Sequence, residues 1–341
     1  MSNGLGIKEL NKLPHLQGKL SILKLQNVVN SKDALEANLR KRERIEELML
    51  KWDGDTQDSR IVKNVLDMLQ PSTNLRRLTI DYYGGRSFPK WVGDSQFMNI
   101  TFSLPPFGQL PSLKELFIRG MVSVQIVGRE FYCSKAQSSS FQPFPFLEIL
   151  EFENMPVWEE LIPYEVEDVK FPFPCLRQLL LSSCPMLRGG MPIKLPSLTK
   201  VYISNCKQFE AKSSALQWIT STEELKILEG GQGLLRALDN YSLNSLKHLT
   251  IKMCYSLQSS PRMIMSCHHL QELFLIGIPS IMSFPTDSLP ASLQRLQIQD
   301  WEIKIPSSEC WRSLTSLEEL MIDNSCHPLA SFPLGCFPRL K

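Results

Sequence analysis

Leu246-Lys-His-Leu249-Thr-Ile251-Lys-Met-Cys254, followed 24 residues later by Leu270-Gln-Glu-Leu273-Phe-Leu275, decides how this chain is read. The same Leu-x-x-Leu-x-Leu spacing, with Ile, Val or Phe substituting, starts at Leu20, Ile45, Leu75, Leu113, Leu147, Leu176, Leu198, Leu293 and Leu317. A degenerate copy starts at Thr222. From Leu176 onward the starts lie 22, 24, 24, 24, 23 and 24 residues apart. Side chains alternate along an extended segment, so the fourth and sixth residues point together into a core. The third, fifth and seventh point to the opposite face. A unit this short cannot bury its apolar side alone and must stack on its neighbours.

Period and pattern are those of a leucine-rich repeat. The predicted fold is therefore α/β: a leucine-rich repeat solenoid, or horseshoe, with a parallel concave sheet and right-handed crossovers. Strands are expected around positions four to six of each repeat, from Leu23–Leu25 through Leu48–Leu50 to Leu320–Ile322. Residues 1–19 read as a connector from preceding repeats and 20–341 as the repeats themselves. The motif Phe97-x-x-Ile100-x-Phe102 starts only 16 residues before Leu113. Residues 84–112 are accordingly expected to be irregular, with a distorted crossing and an interruption of the flanking sheet. Pro338-Arg-Leu-Lys341 begins a thirteenth unit, so the last repeat reads as truncated and the chain as a fragment or a truncated gene product. Uncapped ends would leave the isolated chain marginal in solution. Helices are expected at 31–44, capped by Ser31, and at 59–70, with Val62, Leu66 and Leu69 on one face. Ser134–Pro143 reads as an exposed loop. Cys184, Cys206 and Cys254 hold the ninth position and Asn27, Asn154, Asn205 and Asn324 the eighth, where the chain turns out of the strand.

Composition narrows the function by exclusion. The 341 residues carry a net charge of +2, which points neither to nucleic acid nor to an anionic membrane. No apolar run reaches the ~18 residues of a membrane span, and the N-terminus has no apolar signal core. Nine cysteines without a close-spaced even framework fit a reducing compartment. The glycosylation-like triplets at Asn99 and Asn240 are then chance matches. Cys267-His268-His269 is the one dense group of ligand-type residues, and it lacks a second pair at zinc spacing. No catalytic set, metal site or cofactor site is predicted, because no convergent groups are found.

The expected site is the concave face. Its 36 predicted residues include eight Lys or Arg and nine Asp or Glu, a balance unlike that of a nucleic-acid groove. Glu47, Arg77, Glu115 and again Glu272, Arg295, Glu319 alternate in sign, as a self-compensating ladder of weak pairs would. Apolar residues stand out there. Tyr202 and Phe274 are the predicted anchors for a protein partner, with Ile276, Leu180, Ile149 and Phe117 beside them on the same face.

Several stretches go beyond a generic repeat. Gly6-Ile-Lys-Glu-Leu-Asn-Lys-Leu-Pro-His-Leu16, Asp33-Ala-Leu-Glu-Ala-Asn-Leu39, Ile45-Glu-Glu-Leu-Met-Leu-Lys-Trp52, Phe88-Pro-Lys-Trp91, Leu104-Pro-Pro-Phe-Gly-Gln-Leu-Pro-Ser-Leu-Lys-Glu-Leu116 and Cys184-Pro-Met-Leu187 form the set. Together they resemble the leucine-rich repeat region of plant intracellular nucleotide-binding resistance proteins of the coiled-coil type. That resemblance implies a defence role in the cytoplasm. The partners it implies are a pathogen effector, a guarded host protein, or the receptor's own nucleotide-binding module, held off until a signal arrives. No Gly-x-x-x-x-Gly-Lys-Ser/Thr loop is present, so nucleotide binding is not carried over. An extracellular leucine-rich receptor or inhibitor would add a signal peptide and capping cysteines. A ubiquitin-ligase substrate adaptor would add an adaptor-binding motif. Neither set of features is found.

Overall fold

The leucine spacing gives one short strand per repeat. The computed structural model describes residues 6–53, 59–85, 88, 91, 104–133, 141–164, 171–189, 194–209, 213–255, 257, 261–278, 289–300, 311–323 and 334–341. Two compact units are formed, one from Met1–Leu176 with Gly190–Leu195, the other from Arg177–Gly189 with Pro196–Lys341.

In the first unit β1 (Gly18–Ile22), β2 (Ile45–Lys51), β3 (Arg77–Asp81), β4 (Glu115–Arg119) and β6 (Ile149–Glu153) pair in chain order, all parallel. Two-residue strands β5 (Ile126–Val127) and β7 (Glu160–Leu161) pair separately. The second unit runs through β8 (Gln178–Ser182), β9 (Lys200–Ser204), β10 (Glu224–Leu228), β11 (His248–Lys252), β12 (Glu272–Ile276), β13 (Arg295–Gln299) and β14 (Glu319–Asp323), again parallel in chain order. Equivalent residues face one another without slippage: Leu179, Val201, Leu225, Leu249, Leu273, Leu296 and Leu320 form one continuous row. These fourth-position residues and their sixth-position partners are buried in every strand up to β13.

The chain leaves each strand through the eighth position, which adopts left-handed backbone in repeat after repeat. Tyr82, Asn154, Ser183, Asn205, Glu229, Met253 and Asp300 do so with φ between 51 and 57°, Gly120 at 70° and Gly277 at 64°. The freed N–H is satisfied by the carbonyl that ends the next strand, as in Met253 to Ile276 at 2.8 Å and Gly277 to Gln299 at 2.9 Å. One position later Cys184, Cys206 and Cys254 are fully buried, and their thiols donate to the carbonyls of Ser182, Ser204 and Lys252 at 3.3 to 3.4 Å. Cys184 and Cys206 thus close the turns of their own repeats, while the Cys254 thiol has a nearer acceptor in the Gly230 carbonyl of the preceding repeat, at 3.1 Å.

The return segments fill the core. In the first unit an aromatic run passes from Trp52 to Tyr83, Phe88, Phe107, Phe131, Phe144 and Phe173, with neighbouring ring centroids 4.7 to 6.3 Å apart. The Leu104–Leu116 stretch owes its residues to this packing. Phe107 is fully buried, and a β-carbon on Gly108 would collide with the carbonyl of Tyr132. In Phe88-Pro-Lys-Trp91 the indole N–H donates to the carbonyl of Leu66 at 2.8 Å. That bond docks Trp91 on α2 (Ser59–Met68), which follows the short α1 (Ser31–Glu36).

Five expectations need correction. The first strand covers Gly18–Ile22, not Leu23–Leu25: Leu20 and Ile22 face Leu48 and Leu50, while Leu23 is exposed. Its first position is the exposed Gln17, so a leucine search locks onto the copy three residues later. Asn27 consequently lies in a 3-10 turn (Leu25–Asn27), and Lys24 takes the left-handed place. Residues 31–44 are not one helix: α1 stops at Glu36 and left-handed Asn38 turns the chain so that Leu39 is buried. Its cap is Asn30, whose side chain accepts from the Lys32 N–H at 3.0 Å, rather than Ser31. Finally, the sheet is not interrupted across residues 84–112, because Leu78 and Ile80 face Leu116 and Ile118 directly. The additional length is taken up outside the strands. Phe97, Ile100, Phe102, Asn324 and most of Ser134–Pro143 lie outside the described residues.

Candidate functional site: the open face of the sheet

Strand alternation leaves third-, fifth- and seventh-position side chains on the face away from the core. All six predicted residues are found there, each half-buried: Phe117 and Ile149 in the first unit, and Leu180, Tyr202, Phe274 and Ile276 in the second. Tyr202 stands between Leu180 and Lys226 in the fifth-position row, and Phe274 between Thr250 and Gln297. Tyr202 and Phe274 are therefore three strand spacings apart, about 14 Å at ~4.8 Å per strand. They are two separate apolar points. Phe274 and Ile276 share one strand, and Met321 in the same row as Phe274 is 56% exposed. Met253 and Tyr255, just past the end of β11, are exposed as well. Sequence reasoning passed over these last three residues because it judged each repeat by its three inner positions and gave methionine no weight.

Charged residues pair across the strands. Arg77 bridges Glu47 at 3.3 Å and Glu115 at 2.5 Å, so this part of the ladder is present. Arg295 meets Glu272 at 2.5 Å, but no ion pair joins it to Glu319. His248 Nδ1 lies 2.9 Å from Glu272, and Lys200 and Lys226 both hold Glu224, at 3.1 and 2.5 Å. Burial would push the Glu224 carboxyl up, but the two lysines outweigh it and its pKa is lowered.

A denser network, not anticipated from sequence, surrounds Arg119. It contacts Glu151 at 2.6 Å, Glu153 at 3.0 Å and Asp81 at 4.0 Å. Asp81 and Glu151 are buried. Burial raises the pKa of Asp81 against the opposing pull of Arg119 and Lys51. The Phe117 ring lies beside both arginines, 5.7 Å from the Arg77 guanidinium carbon and 5.3 Å from that of Arg119. The residues responsible occupy fifth and seventh positions of three adjacent repeats. Their signs were readable, but their convergence on one guanidinium depends on side-chain reach.

Cys267 and its two histidines do not converge. Cys267 is buried, with its thiol donating to the Met263 carbonyl at 3.1 Å, while His268 and His269 are exposed. Burial pushes that thiol up to about 12. Among the described residues no group of three or more His, Cys, Asp or Glu side chains could hold a metal ion. No helix among them is long and apolar enough to cross a membrane.

Comparison with known proteins adds a family context. Residues 7–121 match the family of R13L1/DRL21 leucine-rich repeats. A putative disease resistance protein of Arabidopsis thaliana is 41% identical over 225 residues, 60% of this chain and 15% of the relative. The putative disease resistance RPP13-like protein 1 of the same plant is 34% identical over 319 residues, 86% of this chain and 30% of the relative. The putative disease resistance protein RGA1 of Solanum bulbocastanum is 29% identical over 270 residues, 75% of this chain and 25% of the relative. The chain thus spans less than a third of the length of each of these relatives.

Proposed function

We propose, from a chain that is a leucine-rich repeat region of the plant disease-resistance kind, that it is the sensing and autoinhibitory part of an immune receptor. It acts in the cytoplasm as a protein-recognition scaffold rather than a catalyst. Its partner is a pathogen effector or a guarded host protein, and in the resting state the receptor's own nucleotide-binding module. The observation that carries this reading is the placement of large apolar side chains on the open face, where the fold does not need them. Every fourth- and sixth-position residue from β2 to β13 is already buried on the other side. A half-exposed aromatic group such as Tyr202 or Phe274 gains most of its remaining burial only against another molecule.

The test pairs affinity with stability. Tyr202→Ala or Phe274→Ala is expected to cost about 2 kcal/mol or more of binding to the cognate effector or the nucleotide-binding module, roughly thirtyfold in affinity. The melting temperature should barely move. Arg295→Ala should cost much less, because its pair with Glu272 sits at a half-exposed guanidinium and contributes little, and the exposed Glu319→Ala should cost no more. Ala variants that melt early would place Tyr202 and Phe274 in the core. Variants that keep both binding and stability would move the site elsewhere.

A further inference from the structure

Residues 1–44 hold nine Lys or Arg and four Asp or Glu, a balance of +5, so the rest of a chain whose net charge is +2 carries −3. Four of the nine crowd into Arg40-Lys-Arg-Glu-Arg44, the turn that leads into β2. The turns that lead into other repeats are built without charge: Gln109-Leu-Pro-Ser112, Phe144-Pro-Phe146, Phe173-Pro-Cys175 and Leu289-Pro-Ala-Ser292. The repeat therefore closes at this place without basic residues, and packing does not explain them. Their turn is nonetheless held fast. The N–H groups of Lys41, Arg42 and Ile45 donate to the carbonyls of Asn38, Leu39 and Arg42 at 3.0 to 3.2 Å. The Glu43 carbonyl accepts from the Asn74 side chain at 3.2 Å, and that of Arg44 from the Gly18 N–H at 2.8 Å. Arg42 is engaged inward, on the carbonyls of Leu10, Leu13 and Ala37. Arg40, Lys41 and Arg44 are exposed, and their side chains have no hydrogen bond or ion pair among the described residues. They differ in this from Arg77 and Arg119, whose carboxylates are already in place.

We propose that this turn is a docking surface for an acidic segment of a partner protein, one that presents several Asp or Glu residues close together. The surface is separate from the apolar anchors of the open face and does not depend on them. Its backbone is already fixed, so binding orders three side chains and no loop. The single carboxylate within the stretch, Glu43, leaves the turn with a surplus of cations. Each exposed pair is weak alone, so the three act together, mainly on the rate of encounter and with strong salt dependence. The size of the patch selects the class of partner. Basic clusters that hold anionic membranes count roughly four to eight cations, and three are free here. Nucleic-acid surfaces spread Lys and Arg along a stripe and add aromatic rings on which bases stack. No Phe, Tyr or Trp occurs before Trp52, and that ring is buried. A short run of carboxylates needs neither more cations nor a stacking platform, and it gains charge-assisted bonds from both guanidiniums.

The probes are terminally blocked hexaglutamate, hexaglutamine and hexalysine peptides, phosphatidylserine vesicles and a short oligothymidylate, each titrated into the full chain at low salt. Hexaglutamate should bind saturably and about tenfold more tightly than hexaglutamine, and hexalysine should not bind. Most of that advantage should vanish at about 1 M salt, where screening acts within ~3 Å. The triple variant Arg40→Gln/Lys41→Gln/Arg44→Gln should weaken hexaglutamate about tenfold with an unchanged melting temperature. Lys194, Lys207 and Arg262 are exposed cations of other repeats. Replacing those three by Gln removes the same charge and should leave the titration unaltered, as should Tyr202→Ala. Equal weakening by the two triple variants would show an effect of net charge without a site and overturn the proposal. Hexaglutamate binding no tighter than hexaglutamine would do the same. Vesicles or oligothymidylate bound more tightly than hexaglutamate, and released by the first triple variant, would assign the turn to a membrane or a nucleic acid and overturn the protein segment.

Discussion

Single residues here work against their surroundings as often as with them. Tyr132 is fully buried among Phe131, Phe144, Tyr164 and Phe173, yet its hydroxyl has no hydrogen-bond partner among the described residues. An unsatisfied buried donor costs about 1–3 kcal/mol relative to its hydrated state. Tyr132→Phe keeps the ring and removes the cost, so chemical denaturation should show a gain of about 1 kcal/mol. Asp81 is a second case. Burial holds its folded pKa above the ordinary 3.8, so above that value the fold binds more protons than the unfolded chain. Stability contributed at this site is present at low pH and lost as pH rises through the raised folded value. Asp81→Asn does not titrate. Relative to the parent protein its stability should therefore improve as pH rises above the ordinary 3.8, read as a difference between denaturation curves. A difference that runs the other way would mean that Arg119 more than compensates the buried carboxylate. Neither feature was legible in the sequence, where Asp81 is one of nine acids on the expected face and Tyr132 lies in a return segment without periodicity.

At the scale of elements, one side chain ties the start of the described chain to the repeats. The guanidinium of Arg42 donates to the carbonyls of Leu10, Leu13 and Ala37, the last two at 2.6 and 3.1 Å. The 3-10 segment Ile7–Lys12 has no fully buried residue of its own, so these bonds add to its packing against α1 in holding it. Arg42→Ala should raise amide hydrogen exchange at Glu9 and Leu13, whose N–H groups close that segment, while Leu48 and Leu50 in β2 stay protected. Equal exchange in both proteins would show that the segment is held by something else. The same region explains where periodicity misled. Leu20, Leu23 and Leu25 satisfy the repeat spacing as well as any other copy. Leu25, however, is buried through the 3-10 turn and not through the strand. Alternation cannot distinguish two overlapping copies, whereas pairing to Leu48 and Leu50 can.

For the whole molecule, stacking makes stability a sum of neighbour contacts, so damage should stay near its origin. Phe131 touches Phe107, Tyr132, Phe144 and Phe152 and is fully buried. Phe131→Ala should cost about 3–5 kcal/mol, visible as faster exchange in β4 and β6, with β11 and β12 little changed. Uniform loss of protection across both units would mean that the chain unfolds as one cooperative body. Periodicity alone specified the repeat, the strand positions of β2 to β4, β6 and β8 to β14, the buried cysteines past the strands, and the face on which Tyr202 and Phe274 stand. It could do so because these follow from a two-residue alternation repeated at a fixed period, which is local information. The tertiary structure alone decided the first strand's register, the direct pairing of β3 with β4, the aromatic run and the carboxylates around Arg119. Those depend on which side chains from different repeats reach one another, and distance through space is not written in spacing along the chain.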